Sequence, residues 1–212
     1  MAEIFDQICE LMQLGKAKQV KALCEQALED GISAADILEK GLLSGMSIVG
    51  QKFKNNEIFV PEVLIAARAM SKSIEVLKPH LGDGEGQGKG TVILGTVKGD
   101  LHDIGKNLVR ILMEGKGLTV IDLGVDVDAD AFVQAVKENN ADVIACSALL
   151  TTTMPEMETV VNACKEAGIR DSVKIMVGGA PVSQEFCDRI GADLFTADAY
   201  SAAAAALSFC TK

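Results

Sequence analysis

The sequence predicts a four-helix bundle followed by a flavodoxin- or Rossmann-like, doubly wound sheet of five parallel strands. Three observations predict it. The stretch LGDGEGQGKG (81–90) holds five glycines and no apolar residue after Leu81. Before it, apolar residues recur at helical spacing; after it, five short apolar runs each precede a helix-like segment. Glycine-rich chain of this kind is a flexible coil, and its eight central residues span roughly 15 Å. The expected division is therefore a bundle at 1–82, a linker at 83–89 and an α/β domain at 90–212.

In the first part, Ile4, Ile8, Leu11 and Met12 mark one helix, and Val20, Leu23, Ala27 and Leu28 a second that stops at Asp30-Gly31. Ser33, with Asp36 three residues on, has the form of an N-terminal cap. The third stripe is Leu38, Leu42, Met46, Val49 and Phe53, broken by KNNE (54–57). Pro61 sits where the first turn of a fourth helix tolerates it; its expected stripe is Val63, Leu64, Ala67, Met70, Ile74 and Leu77. Gly41, Gly45 and Gly50 are expected to allow close helix packing, as small residues in bundles do.

In the second part the strands are expected at 91–97, 119–123, 142–149, 174–178 and 193–197. Helices are expected at 103–115, 128–139, 154–167, 183–190 and 199–210, the alanine run 202–206 being helix without a further role. Nearly continuous apolar strands alternating with helices mean a parallel sheet covered on both faces.

Composition excludes several classes. The chain is 49% hydrophobic and 24% charged, has no apolar run of 18 residues and shows no secretory leader, so neither a membrane partner nor export is expected; the expected compartment is the cytoplasm. Six cysteines form no CxxC pair and read as reduced thiols. Net charge is −2 over residues 1–82 and −8 over 83–212. An acidic chain with one tyrosine and no tryptophan offers nucleic acid neither a basic stripe nor stacking platforms.

Ligands of open parallel sheets bind at the carboxyl ends of the strands, where strand order reverses. That rule directs attention to the first, third, fourth and fifth βα loops: KGDLHDIGKN (98–107), SALLTTTMPEM (147–157), GGAPVS (178–183) and TADAY (196–200). Ser147, Thr151, Gly178 and Gly179 would let a bulky ligand approach the backbone. His102 is one of two histidines in the chain. A loop histidine is solvated by default, and Asp103 is accounted for as a helix N-cap. Asp100, however, can accept the second imidazole N–H, an arrangement that fixes the tautomer of a metal-binding histidine. One histidine cannot hold a free metal ion, which needs three or four protein ligands. A metal whose equatorial ligands come from a macrocycle satisfies both constraints.

D-x-H-x-x-G is present as Asp100, His102 and Gly105; S-x-L follows as Ser147 and Leu149, and then Gly178-Gly179. This order and spacing resembles the cobalamin-binding domain of methionine synthase and its relatives. Residues 41–70, GLLSGMSIVGQKFKNNEIFVPEVLIAARAM, are similar to the helical cap that precedes that domain. A chain of these two modules resembles a stand-alone corrinoid protein of a methyltransferase system.

The resemblance implies cobalamin or a related corrinoid as cofactor, cycling between methyl-Co(III) and Co(I), with His102 as lower ligand to cobalt. It implies Asp100 as the group that orients His102 and a hydroxyl, at Thr153, as the third member of a relay. Leu101, Asp103, Ile104 and Gly105 would lie with His102 against the corrin. The nucleotide tail would run beside Ser147, Leu149, Thr151, Gly178 and Gly179, closed by Thr196 to Asp198. Phe53, Phe59, Val60 and Val63 would cover the methyl-bearing face; read without the resemblance, they are bundle core. Expected partners are a substrate:corrinoid methyltransferase for a methylamine, betaine, methanol or methoxyarene donor, and a second methyltransferase acting on tetrahydrofolate or coenzyme M. A reductive activase is a further partner the resemblance allows, and the protein alone should not turn over. Competing classes are a cobalamin-dependent sensor, the small subunit of an adenosylcobalamin mutase and a nucleotide-binding flavodoxin-like domain. The first lacks a basic DNA-binding segment here, the second has no reason to carry the bundle, and the third leaves Asp100 and His102 unexplained.

Overall fold

A computed structural model describes residues 2–81 and 88–211. The chain forms two compact units, Met1–Gln87 and Gly88–Lys212. Residues 82–87, which include most of the expected linker, lie outside the described residues. Its last two residues, Gly88 and Lys89, belong to the second unit: the Lys89 N–H donates to the Gly117 carbonyl (2.7 Å), and the adjoining Gly90 carbonyl accepts from the Thr119 N–H (2.9 Å).

The first unit is the bundle. Helix α1 spans Ala2–Gln13 and α2 spans Ala17–Glu29, with Gly31 at φ +81° ending the latter. The third helical stretch is continuous but irregular. A short α3 (Ala34–Asp36) is capped by Ser33 Oγ, which accepts from the Asp36 N–H at 3.1 Å. It passes through a π-helical stretch, Ile37–Leu43, into α4 (Ser44–Lys54). A Cβ on Gly41 would lie 3.0 Å from Ile8, and one on Gly45 would lie 3.0 Å from Met12, so these two glycines set how closely α1 approaches.

Helix α5 (Val60–Leu77) carries Pro61 in its first turn. Its buried stripe is Val63, Ala66, Ala69, Met70, Ser73 and Leu77. The expected stripe is thus rotated: Leu64 is 47% exposed, and Ser73 takes a core place by donating its hydroxyl to the Ala69 carbonyl (2.9 Å). Backbone self-satisfaction of this kind lets a hydroxyl sit where periodicity calls for an aliphatic side chain.

The second unit is the expected sheet. Its strands are β1 (Thr91–Thr96), β2 (Thr119–Asp122), β3 (Val143–Ser147), β4 (Lys174–Gly178) and β5 (Leu194–Thr196). All pairs are parallel, in the order β2-β1-β3-β4-β5. This is the flavodoxin-like order, with its reversal between β1 and β3. The helices are α6 (Ile104–Glu114), α7 (Ala129–Asn139), α8 (Pro155–Glu166), α9 (Gln184–Ile190) and α10 (Ala199–Cys210).

Strand residues divide by parity. Ile93, Ile144, Ile175 and Val177 enter a continuous core with Phe132, Met157, Val161 and Phe186 from α7, α8 and α9. The alternate residues Leu94, Ala145 and Met176 share one register row toward α6 and α10, which pack on each other. Strand β3 is shorter than the expected 142–149 because the chain leaves the sheet at Ser147, which frees Leu149 and Leu150 for the loop. All six cysteines are free thiols. Among the described residues no helix is long and apolar enough to cross a membrane.

Candidate cofactor site

The reversal of strand order puts the loops after β1 and β3 side by side, and the carboxylate of Asp100 ties them together. Asp100 is fully buried, although aspartate is almost never so unless paired. Its Oδ1 lies 2.7 Å from His102 Nδ1 and accepts the His102 backbone N–H at 3.1 Å. Its Oδ2 accepts the N–H groups of Leu149 (2.8 Å) and Leu150 (3.2 Å) and the hydroxyl of Thr153 (2.8 Å). Burial by itself would raise the Asp100 pKa. The donors from Leu149, His102 and Thr153 outweigh burial and hold the carboxyl well below the usual carboxylate range.

An ionised carboxylate has no proton to give, so Nδ1 must be the donor in this pair. Nε2 then keeps its lone pair whenever the ring is neutral. The His102 side chain is 51% exposed, and its neighbours are unusual for a solvent-facing loop. Leu101 is 70% exposed, Ile104 80%, Leu149 44% and Leu150 42%. Four exposed aliphatic side chains in the two loops that meet at one imidazole form an apolar platform with a Lewis base in it. Asp103 occupies the N-cap position of α6, but its carboxylate accepts from the Asn107 amide (3.0 Å) rather than from a backbone N–H.

Two positioning groups escaped the sequence reading. Thr96, wholly buried at the end of β1, donates its hydroxyl to the His102 carbonyl at 2.9 Å. The second βα loop, which is not among the four expected to carry the site, also holds the first. Asp126 accepts the Gly99 N–H at 2.7 Å and donates its own N–H to the Asp100 carbonyl at 3.0 Å. Gly99 has φ +78° and Asp126 φ +55°, so both sides of this clasp are in the left-handed region. An Asp in LGVDVD (123–128) gives no local sign of such a contact; only a strand neighbour 27 residues away makes it one.

Beside the platform a cavity of about 330 Å³ opens between the sheet and helices α6 and α10. Of the expected tail residues, Ser147, Gly178, Gly179, Thr196 and Asp198 line it, as does Gly105. Thr151 is exposed and does not line this cavity. The same holds for Leu149, whose N–H is committed to Asp100. Gly179 is required by its surroundings. At φ +131° a Cβ would fall 1.8 Å from the Ala148 carbonyl oxygen. A Cβ on Gly105 would meet nothing within 4 Å, so the open start of α6 is room rather than packing.

Lys106 is nearly buried and also lines the cavity. Its ammonium is held by Asp122 Oδ1 (2.7 Å) and Oδ2 (2.6 Å) and by Asn107 Oδ1 (3.0 Å). Ala199 and Ala202 line the cavity too. Small side chains at these two positions of α10 therefore do something that composition did not suggest: they leave space.

In the first unit, Phe59 is 66% exposed and Phe53 and Val60 are half-buried, whereas Val63 is fully buried. Val63 shares the buried stripe of α5, as its helical spacing predicts. Among the described residues no group of three or more His, Cys, Asp or Glu could hold a bare metal ion. A single directed imidazole, an apolar platform and an adjoining cleft fit a metal that arrives inside a flat macrocycle with a tail.

The fold and site together define a cobalamin-binding protein. The chain belongs to the B12 binding domain family: residues 90–207 match one model of that description and residues 4–78 match a second. Its cofactor is accordingly a corrinoid. The chain is 46% identical over 175 residues to trimethylamine corrinoid protein 1 of Methanosarcina acetivorans, covering 82% of this chain and 81% of that protein. It is 40% identical over 205 residues, 96% of each chain, to dimethylamine corrinoid protein 1 of the same organism. Among solved structures it resembles the methanol:cobalamin methyltransferase complex MtaBC from Methanosarcina barkeri. That match has a TM-score of 0.91 and 31% identity, covering 98% of this chain and 80% of that one.

Proposed function

We propose that this protein is the corrinoid-carrying component of a methyltransferase system, taking a methyl group from one methyltransferase and yielding it to another. The observation that carries this reading is the Asp100–His102 pair. It leaves one imidazole lone pair beside an apolar platform, and among the described residues no group of three or more His, Cys, Asp or Glu could hold a bare metal ion. When bound, the corrinoid supplies a cobalt centre that can act as nucleophile toward a methyl group and as leaving group from it.

The protein's own residues do the rest. His102 would hold the cobalt through Nε2. Asp100 keeps the proton on Nδ1, and Thr153, Leu149 and Leu150 keep Asp100 ionised by donating to it. Leu101, Ile104 and Leu149 exclude water beside the imidazole, while Ser147, Gly178 and Gly179 receive the tail. Phe53, Phe59 and Val60 belong to the proposal as groups that shield the methyl-bearing face. The bundle's match to a B12 binding model of its own favours a carrier over the small subunit of a mutase.

The first partner is a methyltransferase specific for a small methylated donor, with a methylamine favoured by the trimethylamine and dimethylamine corrinoid relatives. The second acts on tetrahydrofolate or coenzyme M, and a reductive activase is the third. Reconstitution with hydroxocobalamin tests the reading. About one corrinoid should remain bound through gel filtration with a histidine-ligated spectrum. His102→Ala should lose that signature while Phe59→Ala keeps it. Protein that stays colourless would end the proposal.

A further inference from the structure

The cavity beside the site is polar only at its outer end, and this division selects a ligand class. Ser147, Gly178 and Thr196 share one register row at the carboxyl edge of the sheet. Two residues deeper, the corresponding row is Leu94, Ala145 and Met176, all buried. Met113 from α6 and Ala202 from α10, also buried, complete the inner part of the lining. The two ionic side chains in the lining already have partners within the protein. Three acceptors engage the three protons of Lys106, and the Asp198 carboxylate accepts the N–H (2.8 Å) and hydroxyl (2.7 Å) of Ser201.

We propose that this inner row selects the base on the corrinoid tail, admitting an apolar aromatic base of the benzimidazole kind and discriminating against a purine. The inference rests on the corrinoid reading above and deepens it. A purine brings ring nitrogens and an exocyclic amine, which in water are hydrogen-bonded. In the inner row they would face methyl groups and thioethers, and each lost partner weakens binding by about tenfold or more. A benzimidazole presents carbon edges and gains from the same surroundings. Ala145 and Ala202 provide the room: a larger side chain at either position would occupy the space of the base.

The experiment compares three probes on the full chain: hydroxocobalamin, the corresponding adeninyl cobamide, and cobinamide, which has no base. Cobalamin should bind at least about tenfold more tightly than the adeninyl form. Ala202→Leu should remove the advantage of cobalamin over cobinamide and leave cobinamide binding as it was, which also shows that the variant is folded. Ala202→Ser, which adds a hydroxyl for little volume, should narrow the preference for cobalamin over the adeninyl form. Equal affinity for the two complete cobamides, or a cobalamin advantage that survives Ala202→Leu, would overturn the proposal. Failure of all three probes to bind would instead remove the corrinoid reading on which it stands.

Discussion

Replacing Asp100 by asparagine tests the geometry of the site most directly. The carboxylate has two unlike ends. Oδ2 faces two backbone N–H groups, which can only donate, and a hydroxyl that also has the Leu150 carbonyl within reach at 3.0 Å. Oδ1 faces one backbone N–H and one ring nitrogen that can change tautomer. The amide will therefore place its oxygen on the Oδ2 side and its NH2 toward His102. That orientation leaves one buried contact, the His102 N–H, without an acceptor and costs about 1–3 kcal/mol of stability. The larger consequence is chemical. An NH2 facing Nδ1 makes it an acceptor, so the neutral ring's proton moves to Nε2, the atom needed for cobalt.

Loss of an outer partner to a metal-binding histidine typically weakens ligation by 10- to 100-fold. Asp100→Asn should accordingly bind hydroxocobalamin with a mixed or histidine-free spectrum, although every residue lining the tail cavity is unchanged. Titration followed by absorbance gives the affinity, and the ligation signature gives the tautomer effect separately. A variant with wild-type affinity and a fully histidine-ligated spectrum would refute the reasoning. Stability offers a second check with a definite sign. The folded-state pKa of Asp100 is depressed, so its contribution is present above the ordinary carboxylate pKa and is lost as pH falls through and below that range. The Tm difference between wild type and Asp100→Asn should thus be larger at pH 7 than at pH 3.

Thr153→Val keeps the volume but removes one of the donors to Asp100; a loss of about 0.5–1.5 kcal/mol is expected in denaturant unfolding, with Thr153→Ser restoring it. Gly179→Ala must displace the Ala148 carbonyl, so strain of roughly 1–3 kcal/mol should lower Tm and loosen corrinoid retention together. Asp126→Ala removes the side-chain acceptor of the Gly99 N–H and leaves only the backbone bond to Asp100; it should broaden the ligation spectrum while tail-dependent affinity is retained. Burial pushes the Cys24 thiol up to about 11 and raises that of Cys146 still further, so neither should be alkylated at pH 8 in the folded protein, as mass spectrometry would show.

The sequence by itself determined the class of both units. Helical and strand periods are properties of neighbouring residues, and five βα alternations leave little alternative to a covered parallel sheet. It also determined the imidazole and its carboxylate, because Asp100 and His102 are two residues apart and their pairing needs only a turn. What lies across the sheet was decided by tertiary structure. Thr153 and the Leu149 and Leu150 amides meet Asp100 because β1 and β3 are neighbours; Asp126 meets Gly99 because β2 flanks β1 on the other side. Leu64 shows the same limit within a helix, where periodicity finds a stripe but packing sets its rotation, and Ser73 could enter the buried face by satisfying itself. The alanines of α10 read as mere helix because space leaves no mark on a sequence. Only the opposing rows of Leu94, Ala145 and Met176 turn them into the wall of a cavity.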